Sequence, residues 1–538
     1  MVEESHHESR SVVVMSEATT LARVIVRQII EAGITEAVLS PGSRNAPLSI
    51  AFYQAEKRGL IKLHVKIDER GAAFFALGLA KASGLPVPVI CTSGTAVANY
   101  HPAVLEASHT NSPLLVLTAD RPARLRKTGA NQTTEQARIF GKAVRYFADI
   151  SGSAYPMELP FNSLQSGPVH LNIQFDEPLV GEADENWLDN ITIRAPRVFD
   201  RKTPGTFYTK STRGLLVIGH DRAGLSQESV EDFAAELGWP VIAEDPLSHK
   251  DAIAHASIFL TSTKIRSEIN PDTVVVIGRT TLSRSVNALI AGARKTIVID
   301  PRMATVDQDR RADQKFTALP KLEVPAADAD WVATWKKLGE RASKVIAELS
   351  TWSEEVCARD LATALPAGSS LFVASSRPIR DLEGFVSPRS DLRVYANRGL
   401  AGIDGNISTA LGIACASQGA YAVLGDLAFL HDVSALSTVD NANLRIFVID
   451  NNGGGIFSTL PQAGIDGFEK IFGTPHGRDI AAIASGFGFA TSTVSSSSEL
   501  KKKVAEPITG LEVVVVKVPS RQENSDYLKS IYAKMESL

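Results

Sequence analysis

A stretch in the last third of the chain, residues 421–460, carries the residue types of a phosphate and metal site. One apolar run ends at Gly425-Asp426, and a second, 445–449, ends at Asp450-Asn451-Asn452 and three glycines. Carboxylate and amide oxygens suit a hard cation such as Mg²⁺, which combines a few protein oxygens with phosphate oxygens. Glycines let the backbone approach a phosphate closely. From these residues alone, an ordinary βαβ crossover with a glycine-rich turn is an equal alternative.

A second candidate is Glu69, which lies in the turn Asp68-Glu69-Arg70 at the end of an apolar run. A partly buried carboxyl with a raised pKa can hold and return a proton. The alternative is a surface ion pair with one of its neighbours, which would contribute little to stability.

Arginines provide the indication of substrate. Five of them fall in or near loops after predicted strands: Arg44, Arg121, Arg284, Arg380 and Arg398. Arginine binds a carboxylate through a planar two-donor fork, so the set is consistent with an acidic small-molecule substrate. For any single arginine, a solvated surface charge is the more frequent role.

Alternating strands and helices must position these residues. The first third predicts strands at 36–39, 61–67, 87–91, 114–118 and 166–175. The middle third predicts strands at 215–218, 241–243, 273–277 and 296–299. The last third predicts strands at 370–374, 393–395, 421–424, 445–449 and 511–517. Such alternation predicts doubly wound parallel sheets, whose carboxyl edges bind ligands.

The predicted fold class is therefore α/β, with three doubly wound parallel-sheet domains. We place their limits at 1–185, 186–345 and 346–538, with a linker at 180–212. The middle domain has only Gly219-His220-Asp221 after its first strand, where a dinucleotide site would show a longer glycine fingerprint.

Composition limits the classes of function. A chain of 538 residues is long enough for about three domains. Its 44% hydrophobic and 22% charged residues are those of a globular protein, and a net charge of −4 gives no reason to expect nucleic acid or an anionic membrane. No apolar run approaches a membrane span, and the polar N-terminus, MVEESHHESR, has no signal-peptide pattern. Three widely spaced cysteines predict buried thiols and a cytoplasmic location.

Seven segments in order carry a family resemblance: SPGSRNAPL, KIDERGAAFFALGLAK, TSGTA, ADRP, GANQT, ANRGLAGIDG and NNGGGIFSTLPQ. With them the chain resembles, over nearly its whole length, the thiamine diphosphate-dependent decarboxylase and carboligase superfamily, and within it the menaquinone-biosynthesis branch. The resemblance implies a pyrimidine-binding, a central and a diphosphate-binding domain.

The same resemblance implies thiamine diphosphate and Mg²⁺ (or Mn²⁺) as cofactors. Glu69 would be catalytic, through a hydrogen bond to N1′ of the aminopyrimidine, and Ile403 would be the apolar ledge that bends the cofactor. The metal would be held by Asp426, Asn451 and the Gly453 carbonyl, with Asn452 an open alternative to Asn451. The remaining implied cofactor contacts are Gly425, Leu427, Gly454, Ile456 and Phe457.

The implied reaction is decarboxylation of 2-oxoglutarate followed by 1,4-addition of the succinyl carbanion to isochorismate. Near the succinyl part, the resemblance places Ser376, Arg380 and Arg398. Near isochorismate, it places Ser43, Arg44, Arg121, Gln132 and Arg284, and Asn131 is a further implied substrate-binding residue. The family has a basic pair after Ser283, and this chain has Arg284-Ser285 there.

The resemblance also implies a homodimer or a dimer of dimers, in which Glu69 and Asp426 meet across a subunit interface. Three other functions stay open at this point. They are an acetolactate-type carboligase acting on pyruvate, a non-catalytic regulatory subunit with the same fold, and a nicotinamide dehydrogenase, which lacks its glycine fingerprint.

Overall fold

The computed structural model describes residues 16–152, 158–181, 186–194, 205–222, 224–302, 307, 310–417, 419–438 and 441–538. The polar N-terminal segment and much of the predicted linker lie outside these residues. Two six-stranded sheets, one five-stranded sheet and one two-stranded sheet form the described part, and all their strand pairs are parallel. The predicted α/β class is confirmed.

The first sheet has the strand order β2-β1-β3-β4-β6-β5. Its strands are β1 (Glu36–Leu39), β2 (Lys62–Val65), β3 (Val87–Cys91), β4 (Leu114–Asp120), β5 (Tyr146–Ile150) and β6 (Val169–Gln174). Its helices are α1 (Glu17–Glu31), α2 (Ala46–Lys57), α3 (Glu69–Ser83), α4 (Thr95–Asn99), α5 (His101–Thr110) and α6 (Phe161–Leu164). Strands β3 and β4 are buried along their whole length, as expected where helices cover both faces.

The middle region has a five-stranded sheet, β12-β11-β10-β8-β9, and the pair β13-β7. The strands are β7 (Thr206–Tyr208), β8 (Gly214–Ile218), β9 (Val241–Ala243), β10 (Thr273–Ile277), β11 (Lys295–Ile299), β12 (Gln314–Phe316) and β13 (Lys321–Glu323). The helices are α7 (Gln227–Leu237), α8 (Ala256–Phe259), α9 (Thr263–Glu268), α10 (Arg284–Gly292) and α11 (Ala329–Ala347).

The last sheet has the order β15-β14-β16-β17-β19-β18. Its strands are β14 (Ser370–Val373), β15 (Arg393–Tyr395), β16 (Ala420–Gly425), β17 (Leu444–Asp450), β18 (Ala490–Val494) and β19 (Leu511–Lys517). Its helices are α12 (Glu354–Ala364), α13 (Arg377–Phe385), α14 (Asn406–Ala416), α15 (Asp426–His431), α16 (Ile480–Gly486), α17 (Ser497–Ala505) and α18 (Arg521–Met535).

The first and last sheets share one strand order, second-first-third-fourth-sixth-fifth, although no sequence repeat is visible. In this order the chain switches direction between the first and third strands, and ligands bind in the crevice at their carboxyl ends. The crevices lie between β1 and β3 in the first sheet and between β14 and β16 in the last. Each sheet falls within one predicted domain range, and the limits of those ranges stay a prediction.

Several elements differ from the sequence prediction. The strands β5, β7, β12, β13 and β18 were not predicted. They are short or lie at sheet edges. In β7, β12 and β13 only one residue is buried or half-buried, and β5 and β18 each have one fully buried residue. Between β16 and β17, the spacing of Leu430, Val433 and Leu436 predicts one continuous amphipathic helix. That prediction is wrong in extent, since α15 ends at His431 and a separate turn of 3₁₀-helix, Val433–Ser437, follows. Cys91 and Cys357 are buried free thiols, and Cys415 is half-buried. Among the described helices, none combines the length and apolar composition that a membrane span requires.

Helix α3, which begins at Glu69, packs against α14 of the last domain at very short range. An added Cβ at Gly78 would overlap the Thr409 carbonyl oxygen, and one at Gly412 would overlap the Phe75 carbonyl oxygen. The two backbones therefore touch, and a common apolar core, including Phe75 and Leu411, continues across the contact. This contact joins the first and last domains of one chain.

We expect Gly78→Ala to destabilise the protein, because the new methyl group must push the two helices apart. Overpacking of this kind costs about 1–3 kcal/mol. The matched control is Gly486→Ala at the end of α16, where an added Cβ meets nothing within 4 Å. Thermal unfolding of both variants should show a lower Tm for Gly78→Ala alone. Equal Tm values would contradict the close contact.

Candidate active site

A cavity opens at the switch point of the last sheet, with an empty volume of about 1060 Å³ that includes its mouth. Loops after β14, β16 and β17 form its wall together with α12 and α13. Ten of the predicted site residues line it: Ser376, Ile403, Gly425, Asp426, Leu427, Asn451, Gly453, Gly454, Ile456 and Phe457. Residues up to 81 positions apart in the sequence are thus brought to one place by the parallel strand order.

Asp426 is the buried carboxylate of this cavity, with 2% of its surface exposed. It begins α15, and its oxygens accept hydrogen bonds from the Leu427 and Gly453 N–H groups at 2.6 and 2.8 Å. Burial raises the pKa of Asp426 to about 6, against the lowering effect of the Gly453 N–H and of His476. Burial therefore disfavours the ionised form of Asp426 as long as no cation is bound beside it.

Asn451 presents an amide oxygen that has no donor. Its Nδ2 donates to Glu354 Oε1 at 2.5 Å, while its buried Oδ1 accepts no hydrogen bond from any described residue. Asn452 differs in both respects, since its Oδ1 accepts from Gly477 N at 2.8 Å and it does not line the cavity. A free, buried oxygen on Asn451 is the donor type that a hard cation takes.

Gly453 allows the loop to reach Asp426. Its φ is +136°, and an added Cβ would overlap the Gly473 carbonyl oxygen. Its own carbonyl oxygen accepts from Gly455 N at 3.0 Å, which leaves the second lone pair of that oxygen for another partner. Only glycine fits a backbone in this conformation with this little space.

Ile403 stands at the cavity with 39% of its surface exposed. The Asn406 side chain donates to the Ile403 carbonyl at 2.7 Å and fixes the turn before α14. An apolar side chain held out at a cavity wall is suited to support a bound ring, and core packing does not explain its exposure.

Glu69 does not line this cavity. It is the first residue of α3, half-buried, and its carboxylate makes no hydrogen bond or ion pair with the described residues. Both neighbours are fixed: Asp68 accepts from Ser434 Oγ at 2.5 Å, and Arg70 donates to the His431 carbonyl at 2.8 Å. Glu69 is therefore held in place with its carboxylate available.

A second polar group lies at the switch point of the first sheet. Arg121 donates to Ser93 Oγ and to the Gln132 carbonyl, both at 2.8 Å. Burial and the nearby Arg44 lower the pKa of Arg121. Arg44 itself donates to the Phe175 carbonyl at 3.0 Å. Arg44 also forms an ion pair with the exposed Glu177, Nη2 to Oε1 3.2 Å. Two neighbouring cations suit an anionic ligand, for which Arg44 would have to share its guanidinium with Glu177.

The other predicted substrate residues are placed less uniformly. Ser43 follows β1 beside Arg44, and Asn131 is exposed next to Gln132. Arg284 is exposed at the start of α10, with no hydrogen bond or ion pair to described residues. The structure does not bring it into contact with the other substrate residues.

On the last domain, Arg380 donates to the Ser376 carbonyl at 2.6 Å, and burial lowers the pKa of Arg380. Arg398 is in a different state. Its Nη2 lies 2.7 Å from Glu244 Oε1 of the middle domain, with both side chains almost fully buried, and it does not line the cavity. Its charge is already neutralised within the chain.

Comparison with known proteins assigns the chain. The family described as "Thiamine pyrophosphate enzyme, N-terminal TPP binding domain" matches residues 19–139, the "Middle domain of thiamine pyrophosphate" matches 182–373, and the "C-terminal TPP binding domain" matches 381–518.

Proteins named 2-succinyl-5-enolpyruvyl-6-hydroxy-3-cyclohexene-1-carboxylate synthase are similar to the chain over almost its whole length. The one from Saccharopolyspora erythraea is 38% identical, covering 94% of this chain and 96% of its own. That from Thermobifida fusca is 40% identical over the same shares, and that from Nocardioides sp. is 40% identical over 96% and 98%. The chain belongs to this synthase family. The resemblance found in the seven motifs is confirmed, as are the three thiamine pyrophosphate enzyme domains.

Two residues that contact the predicted metal ligands were not themselves predicted: His476, beside Asp426, and Glu354, beside Asn451. His476 Nε2 lies 3.2 Å from Asp426 Oδ2 and 3.8 Å from Asp450 Oδ1, so that three potential metal-binding side chains meet there. Glu354 contacts Asn451 from α12. No local sequence motif marks either residue. His476 is an isolated histidine after an irregular loop, and Glu354 is one of two glutamates in the first turn of α12.

The raised pKa of Asp426 predicts how the metal-free synthase responds to pH. Because the native pKa of about 6 exceeds the ordinary 3.8, this group stabilises the fold fully below pH 3.8 and ceases to do so as pH rises through 6. We expect Tm of the wild type minus Tm of Asp426→Asn to fall between pH 5 and pH 8, by the equivalent of about 1–1.5 kcal/mol, because the larger part of the loss already occurs below pH 5. A difference that rises with pH over this window, measured by calorimetry without metal, would contradict the burial argument.

Proposed function

We propose that the protein catalyses the thiamine diphosphate- and metal-dependent decarboxylation of 2-oxoglutarate and the 1,4-addition of the succinyl carbanion to isochorismate. The product is 2-succinyl-5-enolpyruvyl-6-hydroxy-3-cyclohexene-1-carboxylate, in menaquinone biosynthesis. The observation that carries the proposal is the cavity with Asp426 and the free Asn451 oxygen, in a chain whose full-length relatives have that name.

The proposed metal ligands are Asp426, Asn451 and the Gly453 carbonyl, with Mg²⁺ or Mn²⁺ as the ion. Three protein oxygens of this kind, completed by diphosphate oxygens and water, are what Mg²⁺ prefers. Asn451 is favoured over Asn452 because only its Oδ1 lacks a donor. When bound, thiamine diphosphate supplies the nucleophilic carbon and the electron sink that a 2-oxo acid decarboxylation requires.

The side chains around the cavity have separate proposed tasks. Ile403 supports the cofactor rings from one side, and the apolar side chains of Ile456 and Phe457 exclude water from the reacting carbon. Glu69 holds a proton at N1′ of the aminopyrimidine, as an acid–base group of this kind does. Gly425, Leu427 and Gly454 bring backbone to the diphosphate.

The two anionic substrates require separate cationic contacts. Arg44, Arg121 and Gln132, with Ser43 and Asn131 beside them, are proposed to bind isochorismate at the first sheet. Ser376 and Arg380 are proposed to bind the carboxylate of 2-oxoglutarate at the last sheet. Arg398 would have to share its guanidinium between Glu244 and the substrate. Arg284 stays a proposed contact to isochorismate, since its exposed guanidinium leaves it available.

We further propose a cytoplasmic homodimer or dimer of dimers. Glu69 and Asp426 of one chain belong to different polar groups, and the cavity wall lacks Glu69. A second copy of the chain would supply it. In this arrangement each subunit contributes one half to each of two active sites.

The decisive assay mixes the protein with thiamine diphosphate, Mg²⁺, 2-oxoglutarate and isochorismate. We expect CO₂ release and isochorismate loss, and no CO₂ release from pyruvate. Glu69→Gln should lose about 10²–10⁴-fold in CO₂ release, because the amide cannot exchange the proton. The matched control is Glu228→Gln, a first-turn glutamate of α7 that should stay active.

Activity with pyruvate would favour the acetolactate-type alternative. Binding of thiamine diphosphate without any turnover would favour a non-catalytic regulatory subunit. A fully active Glu69→Gln variant with unchanged Tm would overturn the role of Glu69.

A complementation experiment tests the intersubunit site. Glu69→Gln and Asp426→Ala are each expected to be inactive alone. If sites form between subunits, a mixed dimer has one site with both changes and one with neither, so random exchange of equal amounts restores about a quarter of wild-type activity. Sites built within single chains would leave the mixture inactive. Each variant incubated alone is the control.

A further inference from the structure

The buried carboxylate Glu354 lies directly behind the proposed metal ligand Asn451. It is the first residue of α12, with 5% of its surface exposed, and it belongs to the cavity wall. Its Oε1 accepts from Asn451 Nδ2 at 2.5 Å. No other described residue bonds to that amide group.

This single contact decides which way the amide points. An ionised carboxylate can only accept hydrogen bonds, so the NH₂ group of Asn451 must face Glu354 and the oxygen must face away. Asn451 Oδ1 is accordingly the buried atom that has no donor. Gly455 adds a steric limit, because an added Cβ there would overlap Asn451 Nδ2.

Glu354 is itself held on three sides. Arg377 Nε donates to Glu354 Oε2 at 2.9 Å, and the Glu354 backbone N–H donates to Asn524 Oδ1 at 3.1 Å. Arg377 is fixed in turn by Glu355 at 2.7 Å and Asp381 at 2.6 Å. One oxygen of Glu354 thus accepts a hydrogen bond from Arg377, and the other accepts one from Asn451.

We propose that Glu354 is a positioning residue that fixes the Asn451 amide with its oxygen toward the metal. The proposal rests on the proposed function, since it takes a hard cation as the partner of that oxygen. Groups behind a metal ligand commonly set its orientation, and their replacement costs about 10–100-fold in metal affinity.

Glu354→Gln tests the orientation with little change of shape. Glutamine has one acceptor oxygen, which Arg377 requires, so its NH₂ group would face Asn451 and turn the amide nitrogen toward the metal. We expect the Kd for Mn²⁺ at saturating thiamine diphosphate to rise about 10–100-fold. The free Mn²⁺ signal in electron paramagnetic resonance measures this without turnover.

Glu355→Gln is the matched control. Glu355 is a buried neighbour in the same helix and bonds the same Arg377, but it does not contact Asn451. Its replacement removes one buried charge from the same cluster and should leave the Kd for Mn²⁺ unchanged. Thermal unfolding of both variants separates loss of fold from loss of affinity.

A double exchange should restore binding. In Glu354→Gln/Asn451→Asp the direction of the hydrogen bond is reversed, with the glutamine NH₂ donating to the aspartate and the second aspartate oxygen facing the metal. The total charge equals that of the wild type. Asn451→Asp alone places two carboxylates together with no donor between them, and should bind Mn²⁺ more weakly than the double variant.

The outcomes separate the two hypotheses. If the wild type does not bind Mn²⁺ with thiamine diphosphate, the proposed function fails. If the wild type binds and Glu354→Gln matches Glu355→Gln, or the double exchange gives no recovery over Glu354→Gln, the positioning role is wrong and the metal site stands. A selective loss in Glu354→Gln with recovery in the double variant supports the role.

Discussion

The hydrogen bond from Gly453 N–H to Asp426 connects the two loops on which the candidate site depends. The loops follow β16 and β17, which are parallel neighbours paired residue by residue up to Gly425 and Ile449. Their carboxyl ends therefore finish side by side, and a glycine with φ of +136° closes the gap between them. This geometry brings the buried Asp426 carboxylate and the buried Asn451 amide oxygen, which has no donor among the described residues, to the same edge of the sheet.

The first and last sheets use one topology for two different kinds of chemistry. In each, the crevice between the first and third strands collects polar residues, but one crevice gathers arginines and the other a carboxylate and an amide. Physical principles fix where a ligand binds in such a sheet, and the loop residues decide what it is. The close packing of α3 on α14 makes the two domains of one chain a single unit. A site completed by a second chain, as proposed, would couple four domains.

Local patterns in the sequence were sufficient for the parts of the fold with strong signals. Buried strands such as β3, β10 and β19 follow directly from their apolar runs, and Asp426 was identified by its place after one of them. The edge strands β5 and β18 were missed, because exposed strands have no continuous apolar run and depend on a neighbour for pairing. The break after α15 was missed for a similar reason: Asp432 is drawn out of the helix by its bond to the Ser408 N–H, a contact distant in sequence.

The candidate site shows the same limit, because contacts between segments distant in sequence were not predicted there either. The family resemblance implied Asn451 and left Asn452 open, and the physical difference between them is a hydrogen bond to Gly477 that no sequence pattern indicates. The pairing of Arg398 with Glu244 and the contact of Glu354 with Asn451 join segments about 100 residues or more apart. Sequence reasoning identifies chemical types near strand ends. It does not reveal which partner each polar group already has.

These hydrogen-bond and ion-pair partners matter because several polar groups at the cavity wall are buried at a cost in folding free energy. Glu354, Glu355 and Asp381 surround Arg377 at the cavity wall, and three buried carboxylates around one guanidinium rarely stabilise a fold relative to apolar packing. Burial disfavours the ionised form of Asp426, and the Asn451 amide oxygen is buried without a hydrogen-bond donor among the described residues. A cation bound at the proposed site would relieve both costs at once. Since the cation would bind the folded chain and not the unfolded one, its binding free energy would add to the stability of the fold. The groups that destabilise the metal-free protein would then be the same groups that make cation binding tight.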